Sequence, residues 1–220
     1  MKPLTSKPQF PPNRPFNLVI AGVGGQGILL TARLVAQAAS LEGFAVSVGE
    51  TFGASRRGGT VLSHIRLTNS TKEGAPSRKF TLSGSLVPQY MADVLIGLEP
   101  LEALRSAHYL NPSSYILLNE HLQLPVDVIS TKATIPSFKE IKSRLSKLEI
   151  KFWTLNALKL AAKAGEIRTA NAVMLGALAS LQITPISQLA FEKTLQSQFQ
   201  IKAIQTINAK AFQLGLQYFS

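Results

Sequence analysis

Apolar residues along the chain fall into short runs separated by amphipathic stretches. The run NLVIA at 17–21 stops at Gly22, as a buried parallel strand stops at the edge of its sheet. From 28 to 42, Ile28, Leu29, Ala32, Leu34, Val35 and Ala38 recur at helical intervals without a proline. Gly43 stands where a C-terminal stop belongs, so the spacing predicts a helix. FAVSV at 44–48 alternates in strand fashion and completes a β-turn-α-β unit, for which a parallel, right-handed crossover is the default. Residues 60–67 read as another strand, and 69–77 are rich in turn formers and predict a surface loop. Apolar runs at 94–98 and 115–119 predict two buried strands with a short helix at 101–109 between them. From 138 onward the pattern is mainly helical, broken at Gly165 and Pro185, and 172–181 is apolar nearly all round, as in a buried helix.

This order predicts an α/β fold: a three-layer α/β/α arrangement around a Rossmann-like, mostly parallel sheet, with a C-terminal helical portion. Residues 1–15 hold five prolines and three basic residues without an apolar core. They read as a flexible proline-rich tail rather than a signal peptide or anchor, ahead of a single α/β domain at 16–220. No apolar run approaches the roughly 18 residues that span a bilayer, so a soluble, cytoplasmic protein without a membrane partner is expected.

Composition narrows the chemistry. The 220 residues include no cysteine, which removes the thiolates that iron–sulfur clusters and most structural zinc sites require. His64, His108 and His121 stand at no ligand spacing, so no metal site is expected. A formal charge of +11 favours an anionic partner: nucleic acid, an acidic subunit or a phosphate-rich cofactor. The basic residues are dispersed, and Lys139, Lys142, Arg144, Lys147 and Lys151 read as a solvated helix face. With no interleaving of aromatics and basic residues, a basic nucleic-acid-binding module rests on charge alone.

Two glycine-rich segments carry the candidate chemistry. Gly22-Val-Gly24-Gly25-Gln26-Gly27 follows a strand and opens a helix, the setting in which backbone amides and the helix dipole stabilise an anion. Glu50, at the end of the next strand, stands where a dinucleotide ribose would be held, so a stand-alone NAD(P)-binding oxidoreductase is one reading. Its position 28 residues after Gly22 is long for that fingerprint, which calls for about 20. The second segment, Gly53-Ala-Ser-Arg56-Arg57-Gly58-Gly59, joins guanidinium forks to unobstructed backbone donors at the C-terminal side of a strand, suited to phosphate or carboxylate recognition. The ligand-binding candidates are therefore Gly22, Gly24, Gly25, Gln26, Gly27, Glu50, Arg56, Arg57, Gly58 and Gly59. No catalytic residue emerges: His64 lacks a neighbouring nucleophile or orienting carboxylate and reads as a core or rim histidine. Asn171 reads as an N-cap or ligand contact, and Trp153 as packing.

The segments GVGGQGILLTARLVAQAA, ETFGASRRGGTVLSHIRL and TANAVMLGALAS together resemble the gamma-type domain of 2-oxoacid:ferredoxin oxidoreductases, most closely that of the indolepyruvate enzymes, over about residues 16–181. The resemblance implies a subunit that takes part in oxidative decarboxylation of a 2-oxoacid, with coenzyme A and oxidised ferredoxin giving an acyl-CoA, carbon dioxide and reduced ferredoxin. It implies no cofactor held by this chain alone. Thiamine diphosphate and the iron–sulfur clusters would sit on a large partner subunit, with coenzyme A as co-substrate and ferredoxin reached through the complex. Gly22, Gly24, Gly25, Gln26 and Gly27 match the family's first loop, and Arg57, Gly58 and Gly59 its second. Members commonly carry glutamine before the Arg-Gly-Gly, where this chain has Arg56.

Overall fold

A computed structural model of the chain describes residues 11, 14–53, 58–69, 84–123 and 136–219. Six strands, β1 (Phe16–Val23), β2 (Phe44–Phe52), β3 (Thr60–Asn69), β4 (Ala92–Gly97), β5 (Leu110–Asn119) and β6 (Lys151–Leu155), form one sheet in the order β2-β3-β1-β4-β5-β6. β1, β4, β5 and β6 pair in parallel, while β3 runs antiparallel to both β1 and β2. The sheet is thus mostly parallel, as expected, but β2 does not lie beside β1. The short connection from Gly53 to Gly59 makes β2 and β3 a hairpin, and β3 occupies the place next to β1 that a simple crossover would have given to β2.

Among the described residues seven α-helices cover the sheet: α1 (Ile28–Leu41), α2 (Pro100–Arg105), α3 (Phe138–Ser146), α4 (Ala157–Ala164), α5 (Ala170–Leu181), α6 (Gln188–Gln198) and α7 (Lys202–Leu216). Strand alternation sorts the core into two layers. Leu18, Ile20, Val94, Ile96 and Leu117 pack under α1, α4, α5, α6 and α7. Val19, Ala21, Leu95, Ile116 and Leu118 face α2 and α3. All eight residues of β1 are buried, because this central strand is covered on both faces. The C-terminal helices therefore form one layer of the sandwich together with α1.

The predicted strands at 17–21, 60–67, 94–98 and 115–119 are present, most of them longer than the apolar runs that marked them. The helix expected at 101–109 is α2 followed by a 3₁₀ turn at Ser106–Tyr109. β6 is a correction: its region read as helical, since Lys151 and Thr154 interrupt the apolar run and leave only Phe152, Trp153 and Leu155 to signal a strand. Trp153 does serve packing, buried beside Tyr115. Most of the loop expected at 69–77 lies outside the described residues, although Asn69 ends β3. At the opposite end of the sheet from the glycine loops, Arg14 donates twice to the Asp93 carboxylate, at 2.7 and 2.6 Å, and the Asn17 amide donates to it at 2.8 Å. These bonds fasten the entry to β1.

Candidate functional site

Two neighbouring parallel strands, β1 and β4, send their chains to opposite faces: β1 into α1, β4 into α2. The crevice beyond their C-terminal ends is a topological switch point, where open α/β sheets bind ligands. The first glycine motif lies there.

Each residue of this loop has a local reason. The Gln26 amide donates to the Val23 carbonyl at 3.1 Å, and its side-chain Oε1 accepts from the Val23 amide at 2.9 Å, so Gln26 closes the turn from inside. A Cβ at Gly22 would stand 2.7 Å from that Oε1. Gly25 has φ +104° and faces open space, so its exposed backbone can be approached closely. Gly27, at φ +74°, caps α1 with no side-chain hydrogen bond, which leaves the first-turn amides for a ligand. No acidic side chain occupies that turn. The Gly27 carbonyl accepts from the Thr31 amide at 2.9 Å, the Thr31 hydroxyl at 3.0 Å and the Asn171 Nδ2 at 3.4 Å.

Asn171 thus joins the third sequence segment to the first. It is the second residue of α5, whose N-cap is Thr169, and it reaches from that helix to hold the loop. The second glycine segment is tied to the first by the backbone: the Gly24 amide donates to the Gly59 carbonyl at 2.9 Å, and the Gly53 amide to the Thr60 carbonyl at 2.7 Å. Gly58, at φ +69°, turns the chain into β3. Arg56 and Arg57 lie outside the described residues.

Glu50 does not join this cluster. With β3 between β1 and β2, its strand is two places from the glycine loop, about 10 Å across the sheet, and its exposed side chain lines a groove against α1. The position that holds ribose in a dinucleotide fold is the end of a strand adjoining β1. The hairpin therefore removes the geometric support for that role. His64 is buried, accepts from the Val87 amide through Nδ1 at 3.3 Å and packs edge-on to Tyr109. Burial, and secondarily the charge of His108, holds its pKa below the usual value, as befits a core histidine.

Sequence reasoning missed the floor of the crevice. Glu99, two residues beyond β4, is fully buried; its Oε2 caps α2 by accepting from the Glu102 amide at 2.8 Å, while among the described residues Oε1 has no hydrogen-bond partner. Burial pushes its pKa up to about 7, the charge of Glu102 adds to this, and the amides of Glu102, Gln123 and Leu101 act against it. Gln123 also receives a hydrogen bond from Gln26 Nε2 at 3.3 Å, so the same residue borders both the buried carboxyl and the glycine loop. An acidic residue directly before Pro100 is an N-cap signal that would have located Glu99. Asn119 braces the adjoining strand end, donating to the Leu98 carbonyl at 3.1 Å and accepting from the Ala157 amide at 3.0 Å. Among the described residues no cluster of His, Asp and Glu suits a metal ion, and no helix is long and apolar enough to cross a membrane.

The arrangement is suited to holding an anionic group, and it presents no nucleophile–base pair. The family described as pyruvate ferredoxin/flavodoxin oxidoreductase matches residues 17–218. The chain is 38% identical over 204 residues to the indolepyruvate oxidoreductase subunit IorB of Pyrococcus horikoshii, covering 92% of this chain and 95% of that one. Its counterpart of the same name from Thermococcus kodakarensis is 36% identical over 203 residues, with coverages of 92% and 95%. Among solved structures, the pyruvate oxidoreductase subunit PORC from Thermotoga maritima shares the fold, with a TM-score of 0.67 at 19% identity over 93% of this chain and 97% of that one.

Proposed function

The chain belongs to the pyruvate ferredoxin/flavodoxin oxidoreductase family, and on that premise we propose that it is the cluster-free subunit of an indolepyruvate-type 2-oxoacid:ferredoxin oxidoreductase. The complex oxidatively decarboxylates a 2-oxoacid with coenzyme A, passing electrons to ferredoxin. A cytoplasmic large subunit carries thiamine diphosphate and the iron–sulfur clusters, since this chain has no cysteine to ligate iron. Its own work is to bind and assemble.

One observation carries the assignment of the site: the Gly24–Gly59 backbone bond draws the two glycine segments into one anion-receptive rim at the switch point of the sheet. The ligand of that rim is the phosphate-bearing end of coenzyme A or the carboxylate of the oxoacid. Gly22, Gly24, Gly25, Gln26 and Gly27 supply one wall and Gly58 and Gly59 the other, and the sequence adds the positive charges of Arg56 and Arg57 just before Gly58. The open backbone at Gly25 and the uncapped start of α1 fit a phosphate ester. When bound, coenzyme A supplies the thiol that accepts the acyl group; this chain orients its charged portion and excludes water.

The test is purification of the tagged chain from its native cell, with protein identification, iron and thiamine assays on the eluate. A large thiamine- and iron-bearing partner, and 2-oxoacid-dependent ferredoxin reduction by the recovered complex, are expected. A chain that elutes alone and binds a nicotinamide cofactor would overturn the reading.

A further inference from the structure

We propose that Gln123 is a further ligand contact of the anion site, its side-chain Nε2 donating to a phosphate or carboxylate oxygen; this deepens the oxidoreductase reading and rests on it.

Gln123 stands four residues beyond the end of β5, and Gln26 lies in the turn that leaves β1. β4 runs between those two strands, so their ends are about 10 Å apart across the sheet. The 3.3 Å bond from Gln26 Nε2 to Gln123 Oε1 therefore spans the C-terminal end of β4, at the mouth of the switch-point crevice. Both flanks of this bridge are fastened. On one side the Val23 amide holds Gln26 Oε1 at 2.9 Å, in space that a Cβ at Gly22 would take. On the other, the Glu120 amide donates to the Leu155 carbonyl at 2.9 Å and Glu120 Oε1 accepts from the Thr154 hydroxyl at 2.8 Å. The Gln123 amide in turn stabilises the charge of the buried Glu99 carboxyl.

The backbone dictates which way each side-chain amide faces. A backbone N–H can only donate, so Val23 requires the oxygen of Gln26 and turns its NH₂ group outward. That group can also only donate, so it requires the oxygen of Gln123, whose own NH₂ group is left at the free end. The relay thus ends in donors: one N–H of Gln26 and both of Gln123 meet no acceptor among the described residues. A ligand atom at this end has to accept. Oxygens of a phosphate or a carboxylate meet that requirement, whereas a cation or an N–H group does not. The same donor field continues in the open backbone of Gly25 and the uncapped start of α1.

Gln123 is exposed, so substitutions there are expected to leave the melting temperature of the chain unchanged. In the assembled complex, Gln123→Glu keeps an oxygen for Gln26 but puts negative charge where the donors stood. It is expected to raise the KM for coenzyme A or for the oxoacid at least tenfold with kcat little changed, and Gln123→Ala, which removes the donors without adding charge, about threefold. The constant that rises names the ligand group: phosphate for coenzyme A, carboxylate for the oxoacid. A residue that only braced Gln26 would give the opposite order, because a carboxylate accepts from Gln26 more strongly than an amide does. Both constants of Gln123→Glu within threefold of the wild type, or a larger rise in Gln123→Ala than in Gln123→Glu, would overturn the contact while the oxidoreductase reading stands. A wild-type chain recovered without 2-oxoacid-dependent ferredoxin reduction would overturn that reading and the contact with it.

Discussion

At Gly27 one residue satisfies three demands. Its φ of +74° lies in the left-handed region, its carbonyl gathers three donors, and a Cβ there would stand 2.2 Å from the Asn171 Nδ2. Gly27→Ala is expected to lose about 1–2 kcal/mol from backbone strain alone, and more from displacing Asn171. Adding Asn171→Ala should return only the steric part, a split that chemical denaturation of the two variants would reveal. Equal stability of Gly27→Ala and the wild type would mean that the loop does not need this conformation. Arg57 carries a permanent positive charge directly before Gly58 and Gly59. Arg57→Ala in the assembled complex is expected to raise the KM for coenzyme A or the oxoacid about tenfold with kcat little changed, the pattern of a group that binds ground and transition states alike. Unchanged KM for both substrates would remove its anion-binding role.

Among the elements, α5 and α7 cross most closely. A Cβ on Gly176 would lie 2.0 Å from the Phe212 carbonyl oxygen, and one on Gly215 2.0 Å from that of Val173. The obstacles are backbone atoms, which no rotamer change can move aside. Gly176→Ala is therefore expected to cost about 3 kcal/mol or to prevent soluble expression, whereas Ala162→Gly on the exposed face of α4 should cost only about 1 kcal/mol. Thermal melts of the two variants decide it, and near-equal melting temperatures would contradict the tight crossing. The same contact has a consequence for the site. α5 carries Asn171, so its seating against α7 sets where the Gly27 carbonyl is held. α1 and the hairpin, which are neighbours in sequence, and the distant α5 converge on one loop.

For the whole molecule, the buried carboxyl beneath the crevice links stability to pH. Glu99 titrates at about 7 in the fold against an ordinary 4.5. Below 4.5 it is protonated in both states; between 4.5 and 7 only the unfolded chain releases the proton, so stability falls as pH rises by on the order of 3 kcal/mol. His64 acts oppositely, since its depressed pKa lets the unfolded chain take up a proton first as pH falls below 6.5. Glu99→Gln should therefore match the wild type near pH 4.5 and gain on it steadily toward pH 7; a constant difference across that range would show that Glu99 is ionised throughout. The sequence by itself determined the fold class, the five strands marked by strong apolar runs, the helix after the glycine motif and the family, because periodicity and glycine spacing are local properties of the chain. It could not place β3 between β1 and β2, since a hairpin's partner is chosen by long-range pairing, nor reveal β6, whose Lys151 and Thr154 mask the strand pattern. Nor could it show that Glu50 faces an outer groove, that Asn171 holds Gly27, or that Glu99 is buried. Each of these depends on which elements become neighbours, and tertiary packing alone decides that.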